Sequence, residues 1–238
     1  MIKDSIRNIL NLLHLDLTKN LEYDRLTKAI IRKHLKRDSN CIDIGCHKGE
    51  IMDFFIHYSP DGKHIGFEPI PYLYNNLKSK FGDSVIIYPF ALSDEDGRST
   101  FQYVKNAPAY SGIKKRRYDI KNPEIEEIDV ELKQLDELIP SSQNIDFIKI
   151  DVEGAEYKVL SGAKRILSES KPIILFEFGL GASDFYGTSS KDIFELLTND
   201  QDRKIYTLKS FIVDGKNLNL HEFENLYSSN KEYYFVAF

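Results

Sequence analysis

Several large protein classes are excluded by what this sequence lacks. Its 238 residues include only two cysteines, Cys41 and Cys46. Neither belongs to a CxxC or metal-ligand pattern, which excludes a disulfide scaffold or zinc module and predicts reduced thiols. No run of 18 apolar residues occurs, so no membrane-spanning helix is expected. The start, Met1-Ile2-Lys3-Asp4, has neither the basic region nor the apolar run of a signal peptide, and a cytoplasmic location is the default expectation. Positive charge is not in excess: 32 Lys and Arg stand against 37 Asp and Glu, a net charge of −5. A dedicated nucleic-acid binder, which must neutralise phosphates, would show the opposite balance. Also missing is the G-x-G-x-x-G of dinucleotide-binding folds.

What is present reads as an ordinary globular chain, 42% hydrophobic and 29% charged, of a length suited to one α/β domain with an extension. The first 39 residues read as a helical extension. Ile6, Ile9, Leu10 and Leu13 recur at helical spacing, as do Leu26, Ile30, Ile31 and Leu35 in a second helix starting at Asp24 or Thr27. Residues 40–238 read as a single globular unit. A strand Cys41–Ile44, a helix Glu50–Tyr58 and a strand His64–Glu68 make one parallel crossover. A helix Pro71–Phe81 and a strand Val85–Leu92 follow. Beyond a turn at Asp94–Gly97, short strands are expected at Thr100–Val104 and Ile128–Leu132, with a loop over 106–122 between them. The clearest strand is Ile145–Asp151, succeeded by a helix Ala155–Ser168, a strand Pro172–Phe178 and a helix Lys191–Leu197 with Ser189 and Asp192 as a capping box. The tail is expected to add strands at 204–208, 211–213 and 233–238. This alternation implies an α/β, doubly wound, mostly parallel sheet with antiparallel strands at its C-terminal edge. Ligands of such sheets bind at the carboxyl ends of strands.

Three strand ends carry polar residues suited to that place. The first reads Asp43-Ile44-Gly45-Cys46-His47-Lys48-Gly49, a D-x-G-x-x-x-G pattern. Dinucleotides need closer glycines so that pyrophosphate can reach helix amides. S-adenosylmethionine has no phosphate; an acidic strand end suits its cationic groups, and amides after Gly45 suit its carboxylate. Glu68 closes the second strand, where a carboxylate can accept both hydroxyls of a ribose. The third end is Lys149-Ile150-Asp151-Val152-Glu153-Gly154-Ala155-Glu156, with Glu177 expected alongside. Burying Lys149 alone would be costly, so a carboxylate partner is expected for it. Asp151, Glu153 and Glu177 are the candidate catalytic groups; Glu156 and His47 also have suitable chemistry for taking a hydroxyl proton, and the residues alone do not rank them. No metal is assigned, because the spacing is not that of a metal motif. The segment Pro108–Tyr118 mixes aromatics, hydroxyls and cations. It suits a lid pivoting on Gly112, with Tyr110, Ser111, Arg116 and Arg117 holding an acceptor.

In order and spacing, five pieces resemble the FkbM-type methyltransferases: Cys41–Glu50, Phe67-Glu68-Pro69, Ala91-Leu92-Ser93-Asp94 with Gly97, Ile148–Glu156, and Pro172–Glu177. The resemblance covers roughly residues 40 to 178. It implies a class I methyltransferase, Rossmann-like fold, S-adenosylmethionine as methyl donor, and O-methylation of a sugar, glycan or other small acceptor. It implies Asp43, Gly45 and Gly49 around the methionine end, with Cys46 and His47 in the same turn. Glu68, with Pro69 beside it, is implied on the ribose, Ala91, Leu92 and Ser93 near the adenine, and Asp151 near the sulfonium. Cys46 and His47 depart from the Ala and Asn usual in the family. Two rivals remain at this point: a nicotinamide-dependent oxidoreductase, and a non-catalytic protein keeping the fold as a binding scaffold.

Overall fold

A computed structural model describes residues 18–238. The helical spacing at Ile6, Ile9, Leu10 and Leu13 falls outside those residues. The first described helix, α1 (Lys19–His34), starts earlier than expected because Thr18 caps it, its Oγ1 accepting from the Leu21 amide at 3.3 Å. Arg32, Lys33 and His34 occupy its last turn, where cations favour the helix dipole. Tyr23, Leu26, Ile30 and Ile31 form its buried stripe.

The central strand β1 (Cys41–Ile44) is buried throughout, as a strand flanked by helices on both faces must be. Gly49, at φ +73°, caps α2 (Glu50–Tyr58), and a Cβ there would lie 2.6 Å from the Phe81 ring. Strand β2 (His64–Phe67) leads to α3 (Pro71–Phe81), opened by Pro71. The single strand expected over 85–92 is two strands, β3 (Val85–Tyr88) and β4 (Phe90–Leu92), in different sheets. Pro89 separates them; it has no amide to give a ladder. The strands β5 (Gly97–Val104) and β6 (Ile125–Lys133) are longer than expected and pair antiparallel, with β4 parallel to β6. That three-stranded sheet was not anticipated.

After α4 (Leu135–Leu138) comes β7 (Phe147–Ile150). The helix expected over 155–168 is broken into α5 (Glu156–Ser161) and α6 (Lys164–Glu169). Gly162 makes the break, because the chain passes so close to the Ser93 carbonyl that a Cβ would lie 2.1 Å from its oxygen. Then follow β8 (Ile173–Glu177) and α7 (Ser190–Glu195), the latter with the expected Ser189/Asp192 capping box. Last come β9 (Ile205–Thr207), α8 (Leu208–Ile212), α9 (Leu220–Ser228) and β10 (Tyr234–Ala237). Residues 211–213 are therefore not a strand: Thr207 accepts from the Ser210 amide and starts a helix there.

The main sheet runs β3-β2-β1-β7-β8-β10-β9. Neighbouring strands from β3 to β8 are parallel, and β10 is antiparallel to both β8 and β9. The chain reverses direction across the sheet between β1 and β7, which places the switch point beside Gly45 and Asp151. No helix among the described residues is long and apolar enough to cross a membrane.

Candidate active site

A cleft of about 700 Å³ opens at the carboxyl ends of β1, β2, β7 and β8. Its floor is the β1–α2 turn. Gly45, at φ +81°, packs so tightly on β7 that a Cβ would stand 1.9 Å from the Asp151 carbonyl oxygen. The Gly45 and Cys46 amides both donate to the Phe67 carbonyl, at 3.1 and 3.0 Å, and the Gly49 amide to Cys46. The His47 amide donates to Glu68 Oε2 at 2.8 Å. Of the amides after Gly45 expected to meet a ligand carboxylate, those of Cys46, His47 and Gly49 are thus already engaged within the turn or against the end of β2.

Glu68 is 4% exposed, and its Oε1 accepts from the Ile70 amide at 3.0 Å. Burial pushes its carboxyl up to about 7, against the pull of those two amides. Each carboxylate oxygen keeps a lone pair for a further donor. Ile70, Phe90, Ala91, Leu92 and Phe101 continue the same wall as an apolar shelf.

Lys149 lines the cleft at its floor and is almost fully buried there. Its Nζ donates to the Gly45 carbonyl at 2.9 Å and lies 3.3 Å from Asp43 and 3.6 Å from Asp151. The expected carboxylate partner is therefore there, and it is double. Asp43 is 1% exposed and does not line the cleft. Gly49 and Ser93 do not line it either: Gly49 packs on Phe81, and Ser93 bonds Asp94 at 3.0 Å. Gly45, Cys46, His47, Glu68, Pro69, Ala91, Leu92 and Asp151 do line it. The Cys46 thiol turns inward to the Asp43 carbonyl, and burial pushes it up, so it is no nucleophile.

Asp151, Glu153 and Glu177 converge, each offering an oxygen within 4.8 Å of the others. Against its burial, Asp151 is held below the ordinary range by the Lys149 ammonium and by hydrogen bonds from Glu177 and Tyr234. Glu177 is pushed well above its range by burial and the Asp151 charge. Glu153, at φ +60°, is turned into the cleft, where it ion-pairs with Arg116. Glu156 steers that turn from behind, its Oε1 accepting from the Val152 and Gly154 amides at 3.3 and 3.1 Å. Burial and the neighbouring Lys48 push the His47 imidazolium down, so at neutral pH it is uncharged.

Tyr110, Ser111, Arg116 and Arg117 all line the opposite wall. The Arg116 guanidinium lies 5.1 Å from the Tyr110 ring centroid. Gly112 is no free pivot, because it exchanges backbone hydrogen bonds with Gln102 at 2.8 and 3.3 Å. The Lys114 amide donates to the Tyr186 hydroxyl and the Arg117 amide to the Gly181 carbonyl, pinning the segment further.

Among the lining residues that went unread in the sequence are Asn20 and Tyr23 of α1, Tyr233, and Tyr234 of β10. The Tyr23 and Tyr233 rings are 4.7 Å apart, and the Tyr233 hydroxyl donates to Asn20 Oδ1 at 2.5 Å. No local pattern marks them, since strand order alone brings residue 234 to residue 151.

Residues 43–205 match the family model of the methyltransferase FkbM domain. The chain belongs to the FkbM methyltransferase family. It is also similar to the 2-O-methyltransferase NoeI of Sinorhizobium fredii, with 27% identity over 173 residues, 65% of this chain and 68% of that protein. Among solved structures, the methyltransferase FkbM of Methylobacillus flagellatus superposes with a TM-score of 0.54 at 15% identity. The match covers 86% of this chain but 44% of that one, and it speaks to the fold: a class I, Rossmann-like methyltransferase domain. The FkbM match ends at residue 205, so β10, with Tyr234, lies beyond it.

Proposed function

We propose that this FkbM-family chain is an S-adenosylmethionine-dependent O-methyltransferase acting on a hydroxyl of a sugar, glycan or other small acceptor. One observation carries the reading: a buried ribose-type acceptor, Glu68, and an ionised carboxylate, Asp151, face the same cleft beside an apolar shelf. The fit to the cofactor rests on chemistry present in these residues. Glu68 would take the ribose hydroxyls, Ile70, Ala91 and Leu92 would flank the adenine, and Asp151 would face the cation. The Gly45, Cys46, His47 and Gly49 amides are engaged, which leaves little of this turn for a pyrophosphate and disfavours the nicotinamide rival.

When bound, S-adenosylmethionine supplies an already activated methyl group. What remains for the protein is alignment, exclusion of water, and a place for the acceptor's proton. Asp151 is the best placed of the candidate bases, being ionised and a quarter exposed to the cleft. Glu153 is occupied by Arg116 and Glu177 carries a proton, so we assign them to shaping and charge. Tyr110, Ser111, Arg116 and Arg117 form the wall against which the acceptor would lie. The name of the relative NoeI, a 2-O-methyltransferase, supports a hydroxyl acceptor.

The test is a panel of glycans and lipid-linked sugars incubated with the protein and S-adenosylmethionine, with products read by mass spectrometry. A product heavier by one methyl-for-hydrogen exchange, absent with Asp151→Ala, is expected. Calorimetric uptake of a nicotinamide cofactor but not of S-adenosylmethionine would overturn the reading.

A further inference from the structure

Three elements converge on Asp151. Tyr234 and Glu177 are directly opposed across the β8–β10 ladder. Directly opposed residues project on the same face of a sheet. Tyr234 donates to Asp151 Oδ2 at 2.6 Å, and Glu177 offers a carboxylate oxygen within 4.8 Å of one on Asp151. Two carboxylates this close in a buried site repel when both are ionised, which favours a proton on one of them. Asp151 already has a tyrosine donor and the Lys149 ammonium at 3.6 Å, both of which favour its charged form. The proton therefore stays with Glu177.

Several other charges lining the cleft are paired, Arg117 with Asp119 among them, while Lys48 and Glu50 stand at the start of α2. Lys149 is matched by Asp43, and Arg116 by Glu153. His47 is neutral, and Glu156 sits behind the turn, outside the cleft lining. Asp24 of α1, near Tyr234, has an interaction of its own. Glu68 lies at the far, ribose end.

We propose that Glu177 is held as a neutral acid and that Tyr234 is a positioning residue for Asp151, so that the Asp151–Glu177 pair presents one negative charge, not two, to a cationic ligand. The inference rests on the S-adenosylmethionine reading for the identity of that ligand. It also gives Tyr234, outside the family domain, a role in the site.

The test uses the full chain and three nucleosides: S-adenosylmethionine with its sulfonium, sinefungin with an ammonium in the same place, and neutral S-adenosylhomocysteine. Affinities come from calorimetry at neutral pH. Asp151→Asn should lower affinity for both cations about tenfold or more relative to S-adenosylhomocysteine, because a nearby opposite charge is lost. Glu177→Gln exchanges one neutral donor for another and should shift that ratio less than about twofold. Tyr234→Phe keeps the ring, and should narrow the ratio about three- to tenfold while leaving S-adenosylhomocysteine affinity and the melting temperature in place. A ratio that collapses in Glu177→Gln would show that Glu177 is charged, and would overturn the proposal. So would an unmoved ratio in Asp151→Asn, while an unmoved ratio in Tyr234→Phe would remove Tyr234 from the role. Infrared difference spectra give a ligand-free check: Glu177→Gln should lose the C=O stretch of a protonated carboxylic acid. Loss of a carboxylate band instead would refute the neutral state. If the unaltered protein bound none of the three nucleosides, the cofactor reading itself would fail, a result distinct from these.

Discussion

Lys149 Nζ lies 3.3 Å from Asp43 Oδ1, with both side chains almost fully buried at the base of the cleft. Desolvation alone would make either charge prohibitive; together, and with the Gly45 carbonyl as a further acceptor, they are sustained. Lys149→Met should therefore destabilise the protein by about 3–5 kcal/mol, because it strands a buried carboxylate. Asp43→Asn combined with Lys149→Met should recover part of that loss. Urea unfolding of the unaltered protein and the two variants checks both statements, and equal stability of the single and double variants would contradict them.

The pH response of Glu68 has a definite sign. Burial pushes its carboxyl up to about 7 in the folded protein, from an ordinary value of 4.5. Between those values the folded state keeps a proton that the unfolded state releases, so this group's contribution to stability falls as pH rises through that window and is flat above it. Glu68→Gln should thus gain on the unaltered protein as pH climbs from about 4.5 to about 7, by ~3 kcal/mol at most. Cofactor affinity should move oppositely in the unaltered protein, strengthening as Glu68 ionises to accept ribose hydroxyls. Paired denaturation and calorimetry series across this range would expose a wrong sign in either trend.

Gly45 is a point where backbone meets backbone. A methyl group there would collide with the Asp151 carbonyl, and φ +81° would be strained for any other residue. Gly45→Ala should cost about 1–3 kcal/mol and displace Asp151. Weakened S-adenosylmethionine affinity should accompany the lower melting temperature. A variant with unchanged affinity would dissociate the turn from the site.

The basic segment 114–117 is held by its neighbours rather than swinging freely. Tyr186 accepts from the Lys114 amide at 3.0 Å. Tyr186→Phe keeps the ring and removes that acceptor, so trypsin cleavage after Lys114 to Arg117 should accelerate severalfold, in keeping with about 1 kcal/mol of lost hydrogen bond. Peptide mapping by mass spectrometry would locate the cuts; an unchanged cleavage rate would mean that other contacts hold the segment.

Much of this fold was legible because local rules and tertiary needs agree. The bounds of β1, α2 and α3 follow from an apolar run broken by Gly45, a glycine start and a proline start. Lys149 was legible as a residue needing a partner, since a lone buried ammonium is untenable. Where reading failed, a short apolar stretch had no period to separate strand from helix, as at residues 208–213. Helix α9 left a usable sign, the Asn219/Glu222 capping box, that went unread. Pro89 and Gly162 were visible as residues, but their effect depends on contacts distant in sequence. The same is true of Tyr234, which meets Asp151 only because β10 inserts beside β8.

That insertion has a consequence for synthesis on the ribosome. Strand β9 leaves the exit tunnel before β10, yet among the described residues β10 is its one ladder partner in the main sheet. Until β10 arrives, the open flank of β8 is an unpaired edge, a natural target for chaperones and a hazard for mispairing between nascent chains.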